Sequence, residues 1–333
     1  MKERPAPATS VADQESKPAK PSLRVRWKSR SQENRIESWR PRWLWASISL
    51  PGAAWLVIFF LVPFYAILCV AFGTLDPIFQ SPVPIWNPFL WDPQTFINVY
   101  HELGITFADP FWRTVWYVAV ASLISLVIAY PVAYFVTRHA GRRKSLYLIL
   151  LISPFWVSYM MRMLAWIDLL QTNGYVNDVL EWLHLMSRSN PANWLGGHAG
   201  TVILGLVYGY IPYLILVLYA GLDRIDGRLL EASQDLGFTK WQTFWKVTVP
   251  LSRQTIMAGM FVTVLPMVGD YFTNQLLSAR KSNTMIGNTI EGQLNYASEQ
   301  SDGAAAAVVL LVILVPAMIY YVRSTNKASK ANA

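Results

Sequence analysis

The stretch Glu231-Ala232-Ser233-Gln234-Asp235-Leu236-Gly237, followed after nine residues by Val247-Thr248-Val249-Pro250, decides the fold of this chain. It is polar and amphipathic, and it lies between two long apolar runs. A first short helix is predicted because small and apolar residues recur along one side of it. Those residues are Leu229, Leu230, Ala232, Ser233 and Leu236. A structured polar segment in this position is suited to docking against a partner.

The ends of the two short helices in this segment can also be predicted from residue types. Asp226 can cap the start of the first helix, and Gly237 allows the tight turn that ends it. Thr239 and Gln242 have the spacing of a capping box at the start of a second helix. Pro250 is expected to end that helix, because proline lacks the N–H that a helix interior requires. The sequence therefore predicts two short helices joined by a turn.

The composition indicates that this segment belongs to a membrane protein. Apolar residues make up 53% of the 333 residues and charged residues only 14%, and there are 15 tryptophans. This combination is typical of integral membrane proteins. Six runs are long enough to cross a bilayer, which takes roughly 20 residues. We predict an all-α integral membrane protein with six transmembrane helices at about 47–72, 112–136, 146–171, 201–221, 254–277 and 304–322.

The placement of Lys and Arg predicts the orientation. Basic residues cluster before the first run, after the second, in the Glu231 segment and after the last, whereas residues 73–111 contain none. Cytoplasmic loops carry the excess of basic residues, so both termini and the Glu231 segment are predicted to be cytoplasmic. The predicted regions are a basic, disordered tail (1–45), a transmembrane domain (46–325) with its polar loop at 223–253, and a cytoplasmic C-terminal tail (326–333).

Two loops are predicted on the opposite side of the membrane. Five prolines between Leu75 and Pro93, with Trp86 and Trp91, favour a rigid loop. Residues 177–183 in the later connector have the pattern of a short amphipathic helix. Such loops are expected either to receive a soluble partner or to cap the helix bundle.

The residue content argues against several other functions. The net charge of +8 follows the cytoplasmic ends of the apolar runs, so we attribute it to topology and lipid rather than to nucleic acid. The chain has no GxxxxGK[ST] phosphate loop, and its four histidines lack metal-ligand spacing. A single cysteine, Cys69, cannot form an intramolecular disulfide. We therefore expect no catalytic residues and no metal site.

Charged residues inside the apolar runs are the chemically interesting positions. A charge within a membrane is costly, and it is usually paired or lines an aqueous path. In the third run, Arg162 and Asp168 stand among Trp156, Tyr159 and Trp166. Tyr159 and Trp166 have helical spacing and can share a face with Arg162 beside them.

The fifth run contains the second such position. Pro266 and Gly269 interrupt the helix immediately before Asp270-Tyr271. Broken helices with a polar face near the midplane form substrate sites in transporters. The spacing predicts one polar face made by Thr263, Met267, Asp270 and Asn274. A structural alternative stays open, in which Arg162 pairs with Asp270 or Asp168, or these residues pair with a partner subunit.

The polar segment resembles the Glu-Ala-Ala loop of binding-protein-dependent ABC importer permeases. That loop has Glu-Ala-Ala, three residues, Gly, nine residues and then Ile-x-Leu-Pro. The residues that match it at the same spacing are Glu231, Ala232, Gly237 and Pro250. The positions with small or aliphatic replacements are Ser233, Val247 and Val249.

The resemblance covers the chain from about residue 46 onward, and it narrows to the spermidine/putrescine branch, specifically its first permease subunit. The motifs that carry it are Ala129-Tyr130-Pro131-Val132-Ala133-Tyr134, Ser153-Pro154-Phe155-Trp156, Arg162, Asn173-Gly174-Tyr175-Val176-Asn177 and Ile286-Gly287-Asn288. Residues 265–271 are similar to that branch's Leu-Pro-x-x-Gly-Glu-(Phe/Tyr), with Asp270 in place of Glu. Relatives in the superfamily also move opines, amino-acid derivatives, thiamine and iron, so these cargoes remain alternatives.

The resemblance implies a type I ABC importer permease fold with a cytoplasmic coupling helix, in the bacterial cytoplasmic (inner) membrane. It implies a second permease subunit, two ATPase subunits that bind ATP and Mg, and an extracytoplasmic solute-binding protein as partners. This chain itself would then bind no cofactor. The implied coupling residues are Glu231, Ala232, Ser233, Asp235, Gly237 and Pro250, where Glu231 would make charge contacts and Ala232 and Ser233 would pack closely against the ATPase.

The resemblance also implies a substrate pathway. For a polyamine, Asp270 and nearby aromatic rings would attract ammonium groups by charge and by cation–π contact. The implied pathway residues are Asp270, Tyr271, Trp156, Tyr159, Arg162, Trp166, Asp168 and Asn274. One alternative is a self-sufficient secondary transporter or channel, which would leave the docking segment unexplained. The other is a scaffold or lipid-binding membrane component without transport, which would leave Asp270 in a broken helix without a purpose.

Overall fold

The computed structural model describes residues 42–79, 81–91, 93–94, 97, 101, 107–187, 190–278, 280 and 283–331. The tail predicted for residues 1–45 lies outside the described residues up to position 41. The last helix continues to Ala331, so most of the predicted C-terminal tail extends a helix. The chain divides into two compact units, Met1–Pro63 and Phe64–Ala333.

The described part of the first unit is helical. It contains α1 (Arg42–Leu56) and a π-helical turn (Val57–Leu61). The next helix, α2 (Val62–Ala71), begins in the last two residues of this unit. Large apolar side chains of this unit, such as Trp55, Phe59 and Phe60, are exposed. An all-round apolar, exposed surface is expected where a helix faces lipid.

The described part of the second unit is mostly helical and contains a short hairpin. The hairpin pairs β1 (Thr74–Leu75) with β2 (Pro82–Val83) in antiparallel register. The helices before the polar segment are α3 (Ala108–Arg138), α4 (Lys144–Ile152), α5 (Tyr159–Leu170), α6 (Tyr175–Trp182) and α7 (Ala199–Leu222). Those that follow are α8 (Gly227–Asp235), α9 (Lys240–Thr243), α10 (Val249–Val268), α11 (Phe272–Leu277), α12 (Ile286–Asn295) and α13 (Gln300–Ala331).

Within the described residues, five helical stretches are long and apolar enough to cross a membrane, or six if one bent pair counts as a span. The five are Ser47–Ala71, Ala108–Arg138, Ala199–Leu222, Lys240–Val268 and Ala297–Arg323. The bent pair is Gly141–Trp156 with Tyr159–Trp182, at an angle of 85°. The architecture agrees with the predicted six-helix membrane fold.

The predicted third span, 146–171, is wrong as a single straight helix. Backbone ψ angles of 136° at Val157 and 150° at Ser158 end one helical stretch and start the next. Ser158 caps α5 by accepting a hydrogen bond from the N–H of Met161 at 3.3 Å. Pro154, which cannot donate an α-helical hydrogen bond, lies in the turn just before the bend.

The prediction that Pro250 ends the second short helix is also wrong. After α9 the chain continues through a π-helical turn, Phe244–Thr248, directly into α10. The N–H of Val249 bonds to the carbonyl of Phe244, five residues earlier. Pro250 then lies in the first turn of α10, where a missing N–H is tolerated.

The core of the second unit lies where α3, α7 and α10 pack together. One cluster of buried residues joins all three helices: Tyr117, Val118, Ala121, Val202, Leu206, Val207, Met267 and, beyond α10, Met285. A second cluster joins α3 to α7: Ala129, Tyr130, Ala133, Leu214, Ile215, Leu218 and Leu222. The hydroxyls of Tyr130 and Ser252 also hydrogen-bond across α3 and α10 at 2.8 Å.

The loops predicted to lie outside the membrane are structured. The Trp91 ring stacks on Phe72 at 4.5 Å, and its Nε1 donates to the carbonyl of Ile85 at 2.8 Å. In the later connector, α6 (Tyr175–Trp182) confirms the short helix predicted at 177–183. The Asn177 side chain accepts from Trp194 Nε1 at 2.9 Å and thereby ties α6 to the following loop.

Candidate substrate pathway and coupling segment

Asp270 lies in a helix break between α10 and α11. The helix ends at Val268, with Gly269 as its cap residue, and α11 starts only at Phe272. This confirms the interruption predicted before Asp270. The Asp270 side chain is only 7% exposed, so its carboxylate lies inside the helix bundle.

Three hydroxyl groups surround the Asp270 carboxylate. Tyr159 and Tyr210 donate to Oδ2 at 2.9 and 3.2 Å, and Thr273 donates to the same oxygen at 2.6 Å. The N–H of Thr273 donates to Oδ1 at 3.0 Å. The Tyr159 and Thr273 hydroxyl oxygens also lie within hydrogen-bonding distance of each other, so their two protons are shared among three contacts. The buried carboxylate is thus stabilised by neutral donors from α5, α7 and α11.

Two glycines of α7 allow this close approach. A Cβ on Gly205 would lie 2.6 Å from Thr273 Cγ2 and 2.4 Å from Leu277 Cδ1. A Cβ on Gly209 would lie 2.8 Å from Tyr159 Cε2. Small residues at this spacing let helices approach closely in membranes. Gly205 and Gly209 therefore position Thr273 and Tyr159 beside Asp270.

Asparagine side chains hold the segment that follows the break. Asn274 Nδ2 donates to Asn288 Oδ1 at 2.8 Å and to the carbonyl of Asn283 at 3.0 Å. Asn288 Nδ2 donates to the carbonyl of Tyr271 at 2.7 Å. The predicted face shared by Asp270 and Asn274 on one helix is wrong, because the break places Asn274 on α11. Asn274 instead anchors α11 to the start of α12.

Arg162 is buried among aromatic rings near this group. Its side chain is 7% exposed, and its guanidinium carbon lies 4.3 Å from the Phe155 ring centroid. Tyr159 and Tyr208 follow at 5.4 and 6.0 Å. Among the described residues, no ion pair within 4.0 Å joins Arg162 to Asp168 or Asp270. The intramolecular ion pairs left open by the sequence are therefore not formed.

The other predicted pathway residues occupy different places. Trp156 is 81% exposed, and Asp168 is exposed near the end of α5. Trp166 packs edge-on against Tyr208 at 5.3 Å, and Tyr271 stacks on Phe272 at 4.4 Å. The structure brings Tyr159 to Asp270 but does not bring Trp156 or Asp168 into the same hydrogen-bonded group.

The polar segment has the local structure predicted for its ends. Asp226 Oδ1 accepts from the N–H of Arg228 at 3.0 Å at the start of α8. Gly237 has a φ of 90°, a backbone conformation that L side chains rarely adopt. Thr239 and Gln242 make both hydrogen bonds of a capping box, at 3.0 and 3.2 Å. Both helix starts and the turn are confirmed.

One residue predicted to lie on the docking face of α8, Ser233, is not at the surface. Ser233 is buried, and its hydroxyl bonds to that of Thr243 at 2.8 Å. The predicted packing of Ser233 against an ATPase is therefore wrong, because this side chain joins α8 to α9. The exposed residues of α8 and its end include Leu229, Glu231, Ala232, Asp235 and Leu236, the last at 83%.

Residues 143–328 match the family model described as "Binding-protein-dependent transport system inner membrane component". This match covers more than half of the chain and includes both the polar segment and Asp270. The chain belongs to this family.

Relatives of this permease extend the match toward its N-terminus. The spermidine/putrescine transport system permease protein PotB of Escherichia coli (strain K12) is 31% identical over 279 residues, or 83% of this chain and 96% of PotB. PotB of Haemophilus influenzae is 30% identical over 273 residues, or 81% and 90% of the two chains. The inner membrane ABC transporter permease protein YdcU of Escherichia coli is 27% identical over 248 residues, or 72% and 76%.

Solved structures share the fold of this permease. A chain of a bacterial alginate ABC transporter, in complex with its alginate pentasaccharide-bound periplasmic protein, superposes with a TM-score of 0.65. The two chains are 16% identical, and the match covers 91% of this chain and 98% of that one. The fold is that of a type I ABC importer permease, and the chain is a multi-pass inner-membrane transport subunit.

Two residues that contact Asp270 were not predicted from the sequence. Tyr210 and Thr273 complete the hydrogen bonds to Asp270, yet each looks ordinary within its own apolar helix. The four-residue spacing of Gly205 and Gly209 was the available signal, because it indicates that α7 is approached closely on one face.

Proposed function

We propose that this chain is the transmembrane permease subunit of an ATP-driven importer of polyamines. The observation that carries the proposal is the buried Asp270 carboxylate at a helix break, in a chain that is 31% identical to PotB over most of its length. A carboxylate inside a membrane is costly and is usually retained for a cation or an aqueous path.

The surroundings of Asp270 suit a cation that must bind and then leave. Neutral hydroxyls from Tyr159, Tyr210 and Thr273 donate to one oxygen of the carboxylate. An arriving ammonium would exchange hydrogen bonds with these hydroxyls rather than meet an unsolvated charge. Such an exchange keeps net binding weak, and transport requires weak binding because the cargo has to be released.

The proposed complex contains this chain, a second permease subunit, two ATPase subunits that bind ATP and Mg, and an extracytoplasmic binding protein. Both termini would face the cytoplasm. So would the polar segment (residues 223–253), which we call the coupling segment from here on. The exposed residues Leu229, Ala232 and Leu236 would dock against an ATPase, and Glu231 would make charged contacts with it. Closure of the ATPase pair would then switch the helices between inward-facing and outward-facing states.

Uptake measurements test this proposal. The chain and its partner subunits are expressed in a bacterial host that lacks its own polyamine uptake, and radiolabelled spermidine and putrescine are followed. We expect uptake that depends on this chain. Asp270→Asn should lower it about tenfold or more, the range for losing a charged hydrogen-bonding partner.

The matched control is Asp109→Asn, which makes the same chemical change at an exposed carboxylate in the first turn of α3. Its uptake should stay close to the wild type. No polyamine uptake by the wild-type complex would refute the cargo, whereas equal effects of the two substitutions would refute the role of Asp270.

A further inference from the structure

Arg162 is a buried cation that the described part of the chain leaves without an anion. Its Nε and Nη1 atoms are enclosed, and neither has a hydrogen-bond acceptor. A buried charge without a partner is unfavourable. Among the described residues, the contacts that stabilise this charge come from aromatic rings, whose faces attract cations.

These rings form a cage of the kind that recognises organic cations. We define the aromatic cage as Phe155, Tyr159 and Tyr208, whose ring centroids lie 4.3, 5.4 and 6.0 Å from the guanidinium carbon. Aromatic cages bind alkylammonium groups through the same attraction. The cage therefore has the chemistry of an ammonium site, and a side chain of the protein fills it.

One side chain joins the aromatic cage to the Asp270 carboxylate. The Tyr159 ring faces Arg162, while its hydroxyl donates to Asp270 Oδ2 at 2.9 Å. The aromatic cage thus lies at the ring of Tyr159, and the Asp270 carboxylate lies at its hydroxyl group. Both attract cations. A solute with two ammonium groups on a short methylene chain has the shape to reach both.

We propose that Arg162 is a resident cation that fills the aromatic cage until the second ammonium of a polyamine displaces it. This inference rests on the proposed function and assigns a second subsite within it. The guanidinium can leave because it is held by ring contacts, with no hydrogen bond or ion pair among the described residues. Its two unpartnered nitrogens, Nε and Nη1, gain acceptors once they reach water. Arg162 then competes with the cargo, limits its affinity and favours its release.

Equilibrium binding to the whole complex tests the inference. The complex is reconstituted in lipid nanodiscs without the binding protein, so that solute affinity reports on the permease itself. The probes are radiolabelled putrescine and butan-1-amine, which has the same carbon chain but a single ammonium. Arg162→Met removes the competing charge and keeps the apolar stem. We expect the putrescine Kd to fall about tenfold, the effect of freeing one cation–π site, with the butan-1-amine Kd unchanged.

A control variant and the pattern of outcomes distinguish a second ammonium subsite from a structural role of Arg162 and from general charge repulsion. Arg142→Met removes an exposed arginine and should change neither affinity; Arg162→Gln replaces the Met variant if that complex does not assemble. Unchanged or weaker putrescine binding would make Arg162 structural. Equal gains for both amines would indicate general charge repulsion and overturn the second subsite. A wild-type complex that binds and takes up no polyamine would overturn the proposed function as well.

Discussion

At the scale of single residues, the hydrogen bonds around Asp270 depend on two glycines of α7, which have no side chains. Gly209 leaves room for the Tyr159 ring, and Gly205 leaves room for Thr273. Without these gaps, two of the three hydroxyls could not reach the Asp270 carboxylate. Side chains absent from one helix thus determine the hydrogen bonds made by two others.

Gly209→Ala is expected to displace Tyr159 from Asp270. The added methyl would lie 2.8 Å from the Tyr159 ring, a distance that forces the ring to move. We expect polyamine uptake to fall about tenfold, as for loss of a hydrogen bond to a charged group. Radiolabelled uptake at equal protein level in the membrane measures the effect.

Gly200→Ala is the control for this change. It makes the same substitution on the same helix, and its added methyl would meet nothing within 4 Å. Near-normal uptake is expected. If both variants behaved alike, the effect would come from α7 itself rather than from the position of Tyr159.

At the scale of secondary-structure elements, the coupling segment is tied to α3 as well as to α7. Arg138 at the end of α3 donates to the carbonyls of Leu222 and Ile225 at 3.3 and 3.0 Å. Lys144 pairs with Asp223 at 2.7 Å, although this pair is partly exposed and contributes about 0–1 kcal/mol. These contacts join the chain just before α8 to α3 and α4, so we expect movement of α8 to reach both helices.

Gly237→Pro is expected to separate ATP hydrolysis from uptake. Proline requires φ near −65°, whereas Gly237 has a φ of 90°, so the turn between α8 and α9 cannot form. Membrane insertion should be normal because the apolar spans are unchanged. The measurement is the number of solute molecules taken up per ATP hydrolysed in reconstituted vesicles.

The matched control uses the other end of α8. Gly227→Pro places proline at the first helical position, where it is tolerated, and a Cβ there would have open space. This variant should couple normally. Coupled uptake by Gly237→Pro would argue against a role for the turn.

The elements of the coupling segment could be predicted because their causes are local. The Asp226 cap, the Gly237 turn and the Thr239–Gln242 capping box each depend on residues within one turn of the chain. The π-helical turn before Pro250 and the 85° bend before α5 could not be predicted in this way. Both depend on how a proline is accommodated between two helices. The hydroxyl groups around Asp270 could not be predicted either, because they come from segments that are distant in the sequence.

At the scale of the whole molecule, the proposed orientation assigns opposite sides of the membrane to α6 and α8. Both present exposed residues, Asp178 on α6 and Leu236 just after α8. The single cysteine, Cys69, is fully buried, so the chain suits labelling at introduced cysteines.

Cysteine labelling in intact cells measures the orientation. With a membrane-impermeant maleimide, Asp178→Cys is expected to react before lysis, and Leu236→Cys only after it. The wild-type chain, with Cys69 alone, is the background control. Labelling of Leu236→Cys in intact, sealed cells would contradict the proposed cytoplasmic coupling segment.

One uninterrupted helical stretch, Lys240–Val268, connects the coupling segment to the break at Asp270. Its 29 residues correspond to roughly 40 Å at 1.5 Å per residue. Thermodynamic linkage makes any coupling along this stretch reciprocal. If ATPase closure changes the affinity of the carboxylate for a polyamine, then a bound polyamine changes the free energy of ATPase closure by the same amount. The ATPases would thus respond to whether the pathway is loaded, without any separate sensor.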